Sequence, residues 1–133
     1  MKKILFFDYD RRSNLKNKKK LRLYLINLFL KEKKQILNVN YIFCSDNHLI
    51  KINRNFLKHN YYTDVISFNL ANSSVDIQGE IYISVDRVRE NAVKEEVTYR
   101  EELHRVIFHG TLHLCGYDDK KGGDARKKKK MEN

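Results

Sequence analysis

Apolar residues recur along the chain with two different periods, and the switches between them divide it into elements. Ile4 to Phe7 is a short apolar run that predicts an edge strand. From about Asn14 to Lys31, Leu21, Leu25 and Leu28 recur at helical spacing with Tyr24 and Phe29, and the polar side is nearly all lysine and arginine, which predicts an amphipathic surface helix. Between Ile36 and Phe43 the period changes to two: Leu37, Val39, Tyr41 and Phe43 alternate with Asn38, Asn40 and Ile42. That is a strand with one partly polar face. Asp46 then offers an N-cap to a helix in which Leu49, Ile50, Asn53, Phe56 and Leu57 recur at three and four.

Asp64 to Phe68 predicts the next strand, and Gly79 to Ser84 another, with a polar loop from Asn69 to Gln78 between them. Ser84 or Asp86 can cap a helix running to about Lys94. Thr98 and Glu101 match the capping-box spacing, so a long helix starts before Tyr99 and runs to Gly116, whose missing Cβ suits the left-handed residue that ends helices. Helices and strands alternate irregularly. The pattern therefore predicts an α+β fold: a single small domain over residues 1–119, with a mixed β-sheet of about four strands packed with helices. Residues 120–133, with Gly122-Gly123 and Lys127 to Lys130, have too few apolar positions to pack and are expected to be a frayed basic tail.

Composition agrees with this size. The chain has 133 residues, of which 41% are hydrophobic and 11% aromatic, enough for one core and too few for two domains. The formal charge is +10, but residues 11–34 and 120–133 together carry +14, which leaves −4 on the rest. Lysine runs are commonly solvated surface. The same distribution also suits a protein that attracts a polyanion at its rim and holds a cation at its centre. Cys44 and Cys115 have no metal-type or disulfide-type spacing, the first residues lack a cleavable leader pattern, and Arg22 interrupts the Leu21–Leu30 stretch, so a cytoplasmic protein with reduced thiols and no membrane span is expected.

Chemistry concentrates at the end of the long helix. His109 and His113 are four residues apart, which puts both imidazoles on one helical face at a separation that can clasp one metal ion. A pair of this kind is also compatible with ordinary packing. What distinguishes it is Gly116, which turns the chain back and returns Asp119 as a third ligand, leaving a coordination position open to water. A metalloprotease of the H-E-x-x-H type would carry a general-base glutamate after the first histidine. Here that residue is Gly110, a costly choice inside a helix that implies a close approach to the backbone.

The stretch His109-Gly-Thr-Leu-His-Leu-Cys-Gly-Tyr-Asp-Asp119 resembles the H-G-x-L-H-L-x-G-Y-D-H signature of the YbeY family, the metal-dependent endoribonucleases of bacterial ribosome maturation, at ten of eleven positions. Thr63-Asp-Val-Ile-Ser-Phe68 resembles the family's T-D-V-L-S-F strand and Gly79-Glu-Ile-Tyr-Ile-Ser84 its G-D-I-x-I segment, so the resemblance spans residues 35–119. It implies one divalent metal ion, zinc in type, and cleavage of single-stranded RNA in late ribosome quality control and in maturation of the 3′ end of small-subunit (16S) rRNA. Asp119 stands where the family has histidine, and its harder carboxylate brings manganese, nickel or cobalt into range beside zinc. The family's arginine before the T-D-V strand falls on Leu57; Arg54, one helical turn earlier, is the candidate to serve the phosphate in its place.

An open metal position would hold water whose pKa falls to about 7, so hydroxide is available without a glutamate base. The lysine-rich helix and tail would hold single-stranded rRNA at the small subunit through counterion release, with His59, Tyr61 and Tyr62 either stacking on bases or packing their own loop. His48 and His104 fall outside the ligand triplet, and Cys115 fits a small buried hydrophobe. Competing readings are a ribosome-associated RNA-binding module with a structural metal and, against Gly110, a metallopeptidase.

Overall fold

The computed structural model describes residues 3–59 and 61–117. In chain order these form β1 (Ile4–Asp8), α1 (Lys18–Lys31), β2 (Gln35–Cys44), α2 (Asp46–Phe56), β3 (Val65–Asn69), β4 (Asp76–Ser84), α3 (Val85–Lys94) and α4 (Tyr99–Leu114). The four strands make one mixed sheet in the order β1-β2-β4-β3, with β1, β2 and β4 parallel and β3 antiparallel at the far edge. This is the α+β domain read from the pattern.

Register decides which residues share a face, because partners directly opposite one another point the same way. Phe6, Tyr41 and Ile81 are in register, with Ser67 beyond them on β3, and all face α1, α3 and α4. Tyr41, Phe43, Ile81, Ile83, Val106 and Ile107 are fully buried in this layer, and each such side chain stabilises the fold by roughly 1.5–3 kcal/mol relative to exposure. Phe7, Ile42, Tyr82 and Ile66 form the row on the opposite face, which among the described residues only α2 covers. There Leu49 and Ile52 of α2 pack on Cys44 and Ile66, with Phe68 and Tyr82 at the margin.

Several boundaries differ from the sequence expectation for local reasons. The first helix begins at Lys18, not near Asn14, because Asn14 and Asn17 both take the left-handed conformation at φ 54°, which asparagine tolerates better than most residues. Leu37 is exposed and Ile36 buried, the reverse of a simple alternation. A β-bulge between Ile36 and Asn38 leaves Leu37 as the extra residue and shifts the pattern by one. Ser45, not Asp46, caps α2, accepting from the His48 N–H at 3.1 Å. The last strand starts at Asp76 because its pairing with β2 continues to Gln35, which shortens the polar loop.

At the carboxyl ends of the parallel strands, short polar bonds tie the connections together. Asp10 accepts from both the N–H and the hydroxyl of Ser45, at 2.7 and 2.6 Å. Asp46 accepts from Ser84 Oγ and Arg87 Nη2, both at 2.7 Å, while Asp86 accepts from the Asp46 N–H at 2.9 Å and from Arg11 Nε at 3.0 Å. Among the described residues no helix is long and apolar enough to cross a membrane.

Candidate active site

Both ends of α4 are fixed by local chemistry. At its start Thr98 Oγ1 accepts from the Glu101 N–H at 3.1 Å and Glu101 Oε1 accepts from the Thr98 N–H at 3.3 Å, a complete capping box. At its end Gly116 sits at φ 107°, its N–H donates to the His113 carbonyl at 3.1 Å, and the Tyr117 N–H donates to Leu112 at 3.2 Å. This is a Schellman turn. It ends α4 at Leu114, with Gly116 in the left-handed conformation that the sequence predicts for the helix end. Asp119, the expected third ligand, lies outside the described residues, as does the basic tail.

Gly110, between the two histidines, explains how closely this helix meets the sheet. A Cβ there would lie 2.8 Å from Ile81 Cγ2, 2.9 Å from Val65 Cγ2 and 3.3 Å from Ser67 Oγ. The close approach inferred from the sequence is therefore made by β3 and β4. Ser67 Oγ donates to the Gly110 carbonyl at 3.0 Å. One residue on, Thr111 Oγ1 donates to Ile107 O at 2.8 Å and pairs with Tyr41 OH at 2.7 Å, with Tyr41 and Thr111 fully buried. With Thr111 already donating to the helix, Tyr41 supplies the hydrogen. Burial raises the Tyr41 phenol well above its ordinary value, so it stays a neutral donor.

His109 and His113 are both partly buried on this anchored helix. Asp64, just before β3, accepts from Arg105 Nη2 at 3.3 Å, and Arg105 also grips Glu102 at 2.8 and 3.1 Å. Burial raises the Asp64 carboxyl, while the positive charges of Arg105 and His109 oppose the rise. Asp64 thus lies within electrostatic reach of His109. In the sequence, Asp64 and Arg105 carry a single signal, the position of Asp64 in the T-D-V segment. Among the described residues no group of three or more His, Cys, Asp or Glu side chains could hold a metal ion. The two imidazoles fit a borderline cation chemically.

Arg54 occupies the last turn of α2, exposed, on the helix that covers the opposite face of the sheet from α4. Leu57 is the C-cap of α2, and Asn53 holds the following loop by accepting from the His59 N–H at 3.0 Å and donating to Tyr61 O at 2.8 Å. His59 and Tyr61 stack at 5.1 Å with the Tyr61 hydroxyl 3.0 Å from His59 Nδ1, and Tyr62 lies under Arg87 at 5.2 Å. His59 and Tyr61 thus pack on each other within the loop, whereas Tyr62 packs on α3. His104 packs on Phe108, and burial with nearby Arg100 lowers its pKa. Cys115 is packed against the core, and burial pushes its thiol up to about 11.

The family model for endoribonuclease YbeY matches residues 7–133. The chain belongs to the YbeY endoribonuclease family. It is 48% identical over 117 residues to the endoribonuclease YbeY of Cytophaga hutchinsonii, covering 88% of this chain and 82% of that protein. To the YbeY of Amoebophilus asiaticus it is 43% identical over 116 residues, covering 87% and 79%. The solution structure of TM1509 from Thermotoga maritima matches 97% of this chain and 85% of that one, with a TM-score of 0.59 and 30% identity. YbeY relatives are named as endoribonucleases, which are hydrolases acting on RNA, and the enzyme class expected from the sequence stands. The YbeY match also takes in the first helix and the tail, well beyond residues 35–119.

Proposed function

We propose that this chain is a metal-dependent endoribonuclease that cuts single-stranded RNA in the cytoplasm, in late ribosome quality control and in maturation of the 3′ end of small-subunit rRNA. The observation that carries the reading is the anchored helix α4. Its two imidazoles flank a glycine pressed against the sheet and are followed at once by a Schellman turn, in a YbeY-family chain. His109, His113 and Asp119 would hold one divalent ion, with zinc expected and manganese, nickel or cobalt compatible with the carboxylate. Such an ion supplies Lewis acidity to a phosphodiester oxygen and lowers the pKa of water to about 7.

The chain's own groups supply position and charge. Ser67, Thr111 and Tyr41 hold the turn of α4 that carries the imidazoles, and Asp64 with Arg105 places a charged pair beside His109. Lys18, Lys19 and Lys20 open α1 exposed, with no acidic residue in its first turn, so an RNA backbone meets positive charge there. Arg54 is the side chain proposed to meet the phosphate in place of the family arginine that Leu57 replaces.

The test is cleavage of a single-stranded rRNA 3′-end fragment by wild type, by wild type with chelator and by His113→Ala. Cleavage should disappear in the last two; its survival in both overturns the proposal. End analysis separates water attack, which leaves no cyclic phosphate, from attack by the ribose 2′-hydroxyl, which does.

A further inference from the structure

The face of the sheet on which α2 packs carries an aromatic row that the catalytic reading does not use. Tyr9 packs on His48 at 4.4 Å between ring centres, and His48 lies 6.4 Å from Tyr82. Tyr82 meets Phe68 edge-on at 6.1 Å, and Phe68 meets Phe56 edge-on at 6.4 Å. The row crosses from the end of β1, over α2 and β4, to the edge strand β3. Its two ends are open, Tyr9 at 65% exposure and Phe56 at 70%.

We propose that this row, from Tyr9 to Phe56, is a stacking surface for the bases of single-stranded RNA that leads the strand to the edge of the sheet beside the histidine helix. This deepens the endoribonuclease reading and rests on it.

Three observations favour a nucleic acid as the occupant. First, cations and an amide stand along the row beside its carboxylates: Lys51 lies on α2 one turn after His48 and is exposed, Arg12 is exposed three residues after Tyr9, and Asn40 stands in the sheet two residues from Ile42. Lysine and arginine complement phosphates, and an amide can bond base edges, whereas an apolar protein partner would leave all three desolvated. Second, the neighbouring carboxylates are already committed inside the protein. Glu80 accepts the Tyr82 hydroxyl at 2.9 Å, and at the other end Asp10 is bound to Ser45 and Asp86 to Arg11. Third, the row touches the strand that meets the chemistry. Successive residues of one edge strand point to opposite faces, so Phe68 lies in the row while Ser67, its neighbour, bonds Gly110 between the two histidines. A strand stacked along the row and turning over the β3 edge arrives at α4. Every base has a π-face, so such a surface tolerates sequence while rejecting duplex, whose bases are paired and stacked already.

The test is fluorescence anisotropy of a labelled phosphorothioate 2′-O-methyl oligouridylate, which resists cleavage, with the full chain and with Tyr9→Ala and Phe56→Ala. Both rings are largely exposed, so the melting temperature should stay near wild type and the fold is not at issue. Each substitution should weaken single-strand binding about 5-fold or more, the losses should multiply in the double variant, and the dependence of affinity on salt should keep its slope, since no phosphate contact is removed. A duplex of the same length should bind all variants alike. Unchanged single-strand affinity overturns the surface, as does an equal loss on duplex or a dimer in wild type that the substitutions dissociate. If wild type binds no single-stranded RNA at all, the endoribonuclease reading itself fails; if it binds and the variants match it, only this surface does.

Discussion

The hydroxyl of Ser67 reaches the carbonyl of Gly110 at 3.0 Å because nothing but a hydrogen stands between that turn of α4 and the sheet. One interaction joins the edge strand to the helix at the residue between His109 and His113. The position of both imidazoles therefore depends on a packing distance set by a residue with no side chain.

Gly110→Ala tests that dependence. Alanine recovers up to ~1 kcal/mol of helix propensity. Its methyl, however, would meet the β-branched methyls of Ile81 and Val65 below 3 Å, and neither side chain can swing away in a packed layer. Overpacking typically costs about 1–3 kcal/mol, so the net effect is a loss of up to ~2 kcal/mol together with reduced cleavage as the helix is pushed outward. Urea unfolding checks the first part. A variant more stable than wild type would show that the helix has room to spare.

The buried relay Tyr41–Thr111–Ile107 O makes a prediction about order. Thr111→Val leaves the Tyr41 hydroxyl buried without an acceptor, which costs about 1–3 kcal/mol. Tyr41→Phe leaves Thr111 still donating to Ile107 and costs about 0.5–1.5 kcal/mol. The threonine change should be the more damaging although it removes less volume, and the double variant should lose less than the sum of the two. Equal effects in equilibrium unfolding would count against the assigned donor direction.

What was legible in the sequence is what is local. Thr98 and Glu101 form their capping box because the partners are three residues apart, and Gly116 ends α4 because a left-handed residue is a single-residue requirement. Alternation alone puts Leu37 on the wrong face because a bulge is a property of the strand pair, invisible in β2 alone. Ser45, not Asp46, provides the cap, since Asp46 is engaged by Ser84 and Arg87 from about forty residues away. The reason for Gly110 lies in Ile81 and Val65, and the partners of His48 come from the residue after β1 and from β4. Non-local pairing is where single-sequence reasoning stops.

Acid should act through Asp86. Burial alone would raise its carboxyl, but the Asp46 N–H and the Arg11 guanidinium outweigh that and hold it below the ordinary value. A carboxyl with a depressed folded pKa stabilises fully above its unfolded pKa of about 3.9 and stops doing so as pH falls through the lower folded value. Asp86→Asn should therefore be less stable than wild type at neutral pH, with the difference shrinking below about pH 4. Urea midpoints measured between those limits decide it. Parallel curves for the two proteins would show that Asp86 titrates alike in both states.

The cysteines make a kinetic prediction. Burial, reinforced by the negative charges of Asp10, Asp86 and Asp46, pushes the Cys44 thiol up to about 12, and the side chain is fully buried with its sulfur 3.5 Å from Ile83 O. Thiolate is the reactive form, so at pH 8 only about one molecule in ten thousand would carry it even if reagent could enter. Iodoacetamide should label Cys44 in urea but not in the native protein, as read by peptide mass mapping. Rapid native labelling would mean that α2 opens readily from the sheet.

The ligand proposal is most directly tested at Asp119, where this chain departs from the histidine of the family signature. If the Schellman turn returns Asp119 to the two imidazoles, Asp119→Ala removes one of three ligands. It should weaken metal binding by at least the about 10–100-fold that losing a mere ligand-supporting group costs. Asp119→His should keep the ion and move the preference toward zinc, because imidazole is the softer donor and a carboxylate favours manganese. Elemental analysis after dialysis against graded chelator reads both without an activity assay. Retention of the ion by Asp119→Ala at wild-type affinity would remove Asp119 from the site and leave His109 and His113 in need of another partner.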